Sequence, residues 1–231
     1  MSRSLLVINP NTTEAVTVLL REHLMRAAGP DIKVHAVTAR FGAPYIADEA
    51  SYAVGGHATL DAWTTGTAVA PDAVLIGCFG DPGLFALREC TSVPVTGLAE
   101  ASFVEASRHG RFAIVTGGAK WEAMLRRLAL ATGFAQALAG IVTVAPTGAQ
   151  LAADPQGARD LLTQACQEAA VRFEAQAVIV GGAALAGYAA LMQADVGVPL
   201  IDSVAAGARW ALRATHPLRA SGSDRTAPPP R

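Results

Sequence analysis

The chain has 231 residues, of which 52% are hydrophobic and 16% charged, with a formal net charge of −1. That length can bury a sizeable core in one large domain or two small lobes. The near-neutral balance, with no basic cluster, leaves nucleic-acid binding without electrostatic support. Three widely spaced cysteines, Cys78, Cys90 and Cys166, make neither a disulfide framework nor a zinc motif. A reducing, cytoplasmic setting is the expectation. The N-terminal run Leu5-Leu6-Val7-Ile8 is too short for a signal-peptide core, and no apolar run reaches bilayer length.

Leu5–Ile8 has the pattern of a buried strand and ends at Asn9-Pro10-Asn11-Thr12-Thr13-Glu14. Asn11 with Glu14 three residues on predicts a capping box and a helix from about Thr12. Val16, Leu19, Leu20 and Leu24 share one face of it, and Gly29-Pro30 stops it. A strand over 32–37 and a loop over 41–47 follow. A helix over 48–67 is weakened by Gly55-Gly56. Ala73–Gly77 is the next strand, running into Cys78-Phe79-Gly80-Asp81-Pro82-Gly83 and a short helix. A strand over 93–96 and a helix over 99–108 come next.

Phe112–Val115 begins what reads as a second copy of the plan. It continues with helix over 119–132, strand over 141–144, long helix over 158–173 and strand over 177–180. A helix over 184–193, a strand over 198–201 and a last helix over 204–214 complete it. The residues from His216 on are rich in Pro, Ser, Arg and Gly and predict a disordered tail over 216–231. Alternation of this kind predicts an α/β fold with parallel sheets built from βαβ units.

The duplication is the most informative feature. Ala73-Val74-Leu75-Ile76-Gly77-Cys78 aligns with Ala177-Val178-Ile179-Val180-Gly181-Gly182. At the same spacing Gly83 falls on Gly187 and Leu87 on Leu191; one inserted residue later Val93-Pro94-Val95 falls on Val198-Pro199-Leu200. We therefore expect two similar lobes related by a pseudo-twofold, over 1–98 and 99–202, the first completed by the C-terminal helix 203–215. Ligands bind α/β proteins at the carboxyl ends of parallel strands. The turns at Cys78 and Gly182 would face each other across one cleft. The small residues Gly77, Gly80, Gly181, Gly182 and Ala183 would let backbone amides approach an anionic guest, helped by nearby helix N-termini.

Cys78 follows a buried strand and precedes a helix start. A thiol there is expected to have a lowered pKa and to serve in proton transfer or nucleophilic attack. Cys90 and Cys166 sit in helical patterns and read as structural. Asn9, Asn11 and Thr12 occupy the loop after the first strand, where they suit substrate binding and helix capping alike. Thr116 and Gly117 occupy the matching loop of the second lobe, and Phe79 and Gly80 complete the set. Asp81-Pro82-Gly83 reads as turn chemistry. Asp202 and Glu100 suit either the cleft wall or helix caps, and His57 a helix surface. Gly181, Gly182 and Gly187 with Asp202 echo a dinucleotide fingerprint, but Ala183 and Ala186 stand where its later glycines belong.

Four segments together resemble the hydantoin racemase branch of the aspartate/glutamate racemase superfamily: Val7–Thr13, Ile76–Leu84, Gly97–Ala101 and Pro199–Asp202. The resemblance implies two Rossmann-like lobes with the active site in the cleft between them, a small anionic substrate and no metal or organic cofactor. It also implies a pair of cysteines on opposite faces of the substrate, one removing the α-proton and the other delivering a proton. The first maps onto Cys78. The second maps onto Gly182, which can do neither job. The expectation is thus a cofactor-independent racemase or isomerase of hydantoins or related acidic carbon centres, working through Cys78. The departure at Gly182 opens two alternatives. One is a one-cysteine decarboxylase or cis–trans isomerase of small dicarboxylates. The other is a non-catalytic binder of small anions. No nucleic-acid or membrane partner is expected, and apolar helix faces leave a homo-oligomer open.

Overall fold

A computed structural model describes residues 3–28, 31–146 and 148–214. In chain order the elements are β1 Arg3–Asn9, α1 Glu14–Ala28, β2 Ile32–Thr38, α2 Glu49–Gly66, β3 Ala73–Ile76, α3 Leu84–Cys90, β4 Val95–Gly97 and α4 Leu98–Ala106. They continue as β5 Phe112–Gly117, α5 Trp121–Ala131, β6 Leu138–Val144, α6 Gly148–Ala153, α7 Pro155–Arg172, β7 Ala177–Gly181, α8 Tyr188–Met192, β8 Leu200–Asp202 and α9 Ser203–Ala214.

The strands form two parallel sheets of identical order, β2-β1-β3-β4 and β6-β5-β7-β8. Parallel strands buried on both faces need unbroken apolar runs, and Ala73–Ile76 and Ala177–Gly181 are buried at every position. The expected α/β architecture of two similar parallel-sheet lobes is what the chain forms.

One hydrophobic cluster runs through both halves. It joins Leu5, Val7 and Leu75 of the first sheet to Ile114 and Ile179 of the second. Phe103 of α4 is its hinge: its ring stacks on Phe112 at 5.6 Å and meets Phe79 edge-on at 6.4 Å between centroids. Separate clusters cover the outer face of each sheet. Helix α9 returns to the first sheet, where Gly207 lies so close to Leu75 and Leu98 that a Cβ would come within 3.2 Å of both.

The structure changes three local expectations. Helix α1 starts at Glu14, not Thr12, because Asn11 turns its side chain onto the Thr13 amide (2.9 Å) and closes an Asx turn there. The helix expected over 184–193 is broken. A 3-10 turn spans Ala183–Leu185, Gly187 adopts φ +91°, and α8 begins only at Tyr188. Helix α2 runs unbroken through Gly55-Gly56, whose lack of side chains lets the β3–α3 loop pack against it. A Cβ on Gly56 would meet the Gly83 backbone at 3.4 Å, and Thr59 Oγ1 donates to the Pro82 carbonyl at 2.8 Å. Helix α6 had no counterpart in the sequence reading. The stop at Gly29-Pro30 and the tail over 216–231 lie outside the described residues.

Candidate active site

The carboxyl ends of the central strands are level in each lobe: Ile8 pairs with Ile76, and Thr116 with Gly181. The loops leaving these ends enclose a cavity of about 150 Å³. Gly77 extends the ladder by one bond, donating to the Ile8 carbonyl at 2.7 Å; a side chain there would strike Leu20. This seats Cys78 at the cavity wall, only 8% exposed as a residue.

Of the residues expected in the site, Cys78, Asn11, Phe79, Thr116, Gly117, Gly181, Gly182 and Ala183 line the cavity. Asn9, Thr12 and Gly80 do not, and each departure has a physical reason. Asn9 is fully buried, and its amide donates to Asn11 Oδ1 (3.0 Å), the Thr13 carbonyl (3.1 Å) and Thr17 Oγ1 (2.9 Å). It therefore orients Asn11. With Asn11 Oδ1 taken by Asn9 and the Thr13 amide, the Asn11 Nδ2 is the end left to the cavity. Thr12 is tied by its backbone N–H to the Ala43 carbonyl at 3.2 Å. Gly80 lies behind the wall, under the Trp121 ring.

That last contact has a mate. A Cβ on Gly80 would lie 2.4 Å from the Trp121 ring, and a Cβ on Gly181 would lie 2.2 Å from the Phe79 ring. Each lobe thus lays an aromatic ring on a glycine of the other. Tyr52 reinforces the same loop, donating from its hydroxyl to the Gly80 carbonyl at 2.9 Å, and the Arg127 guanidinium of α5 lies 5.6 Å from the centre of the Tyr52 ring.

The sequence reading missed Val16, Tyr45, Ile46, Trp121, Ala184 and Leu185, all of which line the cavity. The signal for Tyr45 and Ile46 was their position in the loop that follows a strand at its carboxyl end. For Trp121 it was an aromatic at the start of α5.

The charge state of the thiol is the main correction. A helix N-terminus was expected to lower the Cys78 pKa, but α3 begins six residues later, at Leu84. Burial instead pushes the thiol well above the ordinary range, and the charge of Asp81 adds to this. Asp81 is itself fully buried and pushed up to about 7 by burial, although Ala99 and Glu100 donate their amides to it. It is a cap rather than a simple turn residue. Cys166 is a core residue on the buried face of α7, pushed up to about 12 by burial, while Cys90 is exposed.

No charged side chain lines the cavity among the described residues. Asp202 accepts from the Val204 and Ala205 amides (both 2.9 Å) and from the Gly187 amide, so its carboxylate is not offered to a ribose or to the cleft. Glu100 is held by Arg88 and by Thr96 Oγ1. His57 is exposed and meets Phe41 edge-on. Among the described residues no turn or loop hydrogen bond uses the amides of Cys78, Phe79, Ala183 or Ala184, and these residues of both lobes line the cavity. Thr116 Oγ1 donates to the Gly181 carbonyl at 2.8 Å and keeps its lone pairs for an acceptor role. Among the described residues no three His, Cys, Asp or Glu side chains converge to hold a metal ion, and no helix is long and apolar enough to cross a membrane.

The family model described as Asp/Glu/Hydantoin racemase matches residues 5–211. A hydantoin racemase of Pseudomonas sp. (strain NS671) is 33% identical over 89% of this chain and 83% of its own length. The structure of an allantoin racemase from Klebsiella pneumoniae is 30% identical and superposes with a TM-score of 0.86, covering 91% of this chain and 86% of that one. An allantoin racemase from Pseudomonas fluorescens, 24% identical, shares the fold with a TM-score of 0.84 over 90% of this chain and 88% of its own. The family match spans both sheets and every loop of the cavity: the chain belongs to the Asp/Glu/Hydantoin racemase family and is an isomerase.

Proposed function

We propose that the protein inverts the configuration at C5 of small hydantoins, with Cys78 as the group that moves the proton. The observation that carries this reading is an uncharged cavity with one thiol in its wall. A hydantoin is a flat, neutral ring with two carbonyl acceptors and two N–H donors. Asn11 Nδ2 and the amides of Cys78, Phe79, Ala183 and Ala184 suit the carbonyls, and Thr116 Oγ1 suits a ring N–H. An apolar cavity of about 150 Å³ takes a ring the size of benzene, and Val16, Ile46, Trp121 and Leu185 supply the apolar surface. A dicarboxylate would bring two charges into a pocket with no cation to meet them, a poor exchange for its hydration.

In the reaction, Cys78 as thiolate takes the C5 proton. The C–H electron pair moves into the ring, and the negative charge comes to rest on the adjacent carbonyl oxygen. Backbone amides aimed at that oxygen stabilise the charge as it develops. The anion then recovers a proton at C5. No cofactor enters these steps.

The test is incubation of optically pure 5-alkyl hydantoins in deuterated water, followed by NMR at C5 and chiral chromatography. Exchange with loss of optical purity, abolished in Cys78→Ala, is the expected result. Turnover of malonates or maleate with none of hydantoins would replace this reading by the one-thiol lyase or cis–trans isomerase, which Gly182 favours. A ligand-dependent melting shift with no turnover of any of them would leave a binder.

A further inference from the structure

We propose that inversion runs on a single thiol: Cys78 takes the proton from one face of the ring, the flat anion turns over inside the cavity, and the same sulfur returns a proton to the other face. This rests on the functional reading above and concerns how that reaction is completed.

Three observations lead to it. The first is the position in the second lobe equivalent to Cys78, which lines the same cavity. Gly182 has φ +148° and ψ 134°, a backbone conformation that residues with side chains rarely adopt. The nearest atoms to a Cβ there are those of Leu185, from 3.3 Å, so a side chain needs only a slight give from Leu185, but the backbone resists one. The site is built around having none. The second is the absence of a substitute. The polar side chains in the cavity wall are those of Asn11, Tyr45, Cys78, Thr116 and Trp121, with no carboxylate, imidazole or amine among the described lining residues. Asp202 is not among the lining residues and accepts from three amides, and Ser203 Oγ accepts the Gly182 N–H at 3.2 Å. Among the described lining residues only Tyr45 carries another weakly acidic proton; it is 39% exposed, in the loop before α2.

The third observation is what the cavity lacks as an anchor. Among the described lining residues no fixed charge pins one edge of a bound ring, and residues whose amides no turn or loop bond uses line it from both lobes, Cys78 and Phe79 on one and Ala183 and Ala184 on the other. An anion that turns over therefore exchanges one set of donors for a similar one. The apolar wall offers its flat face no directional bond to break. The sulfur, 8% exposed at its residue, is shielded from bulk water while it holds the abstracted proton.

The bookkeeping closes. One C–H bond breaks as one S–H bond forms, the electron pair resides on the ring, and one S–H bond breaks as the new C–H bond forms on the opposite face. The thiolate is regenerated.

The experiment is isotopic. One optically pure hydantoin carrying hydrogen at C5 is mixed with the full-length protein in deuterated water, and the opposite enantiomer is analysed by mass spectrometry at the first few per cent of conversion. A single thiol returns part of the substrate's own hydrogen, so a measurable fraction of that first product is expected to be undeuterated, with the same fraction in Tyr45→Phe. An opposite enantiomer that is fully deuterated from the start overturns the proposal, since the second proton then comes from a different group. A Tyr45→Phe variant that exchanges without inverting overturns it by making the phenol that group. Wild-type exchange with complete retention also overturns it, because the anion then does not turn. Absence of both exchange and inversion on every hydantoin is a different failure, and removes the functional reading with it.

Discussion

The carboxyl group of Asp81 fills the space that Gly97 leaves empty: a Cβ on Gly97 would lie 2.1 Å from Asp81 Cγ. From there Asp81 Oδ1 accepts from the Ala99 amide at 2.9 Å and Oδ2 from the Glu100 amide at 2.8 Å, capping α4 from a different loop, three residues beyond Cys78. The second lobe reverses the arrangement. Asp202, at the place corresponding to Gly97, is the acid, and it caps its own helix α9 while holding the Gly187 amide of the facing loop. Two copies of one plan thus tie the same pair of loops with the carboxylate on opposite sides.

A methyl at residue 97 must displace that buried cap. Gly97→Ala is expected to destabilise the protein by about 1–3 kcal/mol, the usual range for overpacking, with any unpaired helix amides adding to it. Thermal melting reads the loss directly. In a chain this long each kcal/mol lowers Tm by about 2–4 °C. A variant that melts with the wild type would show that the Asp81 cap is not a structural tie.

Asp81 also gives stability a pH dependence of predictable sign. Its ordinary value of 3.8 is raised in the fold to about 7, first by burial. Between those two values the native state holds more protons than the unfolded chain. The contribution is full below the unfolded value and is lost as pH rises through the folded one, at up to about 1.4 kcal/mol per pH unit. Urea unfolding should therefore show this term weakening from pH 4 to 7 and levelling off above. Asp81→Asn should remove the slope, and an unchanged slope in that variant would assign it to other groups.

Burial of the Cys78 thiol, reinforced by the Asp81 charge, makes it a poor nucleophile toward outside reagents at neutral pH. With iodoacetamide near neutrality, peptide mapping should find Cys90, which is exposed, modified well before Cys78. Labelling of Cys78 should rise steeply toward alkaline pH and be slowed by a bound hydantoin. Activity should climb over the same range, and Cys78→Ser should lose about 10²–10⁴-fold, the usual contribution of a positioned acid–base group. Rapid neutral-pH labelling of Cys78 would mean that the loop opens more than its packing indicates.

Much of this was legible in the sequence because it is written in contiguous residues. Apolar runs such as Ala73–Ile76 and Ala177–Gly181 mark the central strands, and their recurrence points to the turns at Cys78 and Gly182, which line one cavity. What was not legible depends on contacts between distant segments. The thiol's electrostatics turn on where α3 starts and on how deeply Phe79 and Trp121 seal the loop, neither of which the local pattern around Cys78 encodes. The roles of Asn9 and Asn11 separate only when the fold shows which amide faces Thr17 and which the cavity. Asp81 looks like a turn residue until Gly97 is brought beside it.

Gly182 offers the last test, because space and backbone make opposite demands there. The nearest atoms to a Cβ are those of Leu185 at 3.3–3.4 Å, a tight contact that a shift of a few tenths of an ångström in that flexible side chain relieves, so a steric account alone anticipates a small effect of adding a methyl. Its φ of +148° with ψ 134° is instead close to a region that is essentially glycine's own, and holding another residue there costs about 1–3 kcal/mol. Gly182→Ala should therefore melt several degrees lower although Leu185 can relieve the contact, and Gly182→Cys should lose a similar amount. The bond from the Gly182 amide to Ser203 Oγ sets the direction of that strain, because the chain cannot rotate away without breaking it. If Gly182→Ala proves as stable as the wild type while Ser203→Ala does not, the loop is free to readjust its backbone, and the absence of a side chain at this position is then a matter of chemistry alone.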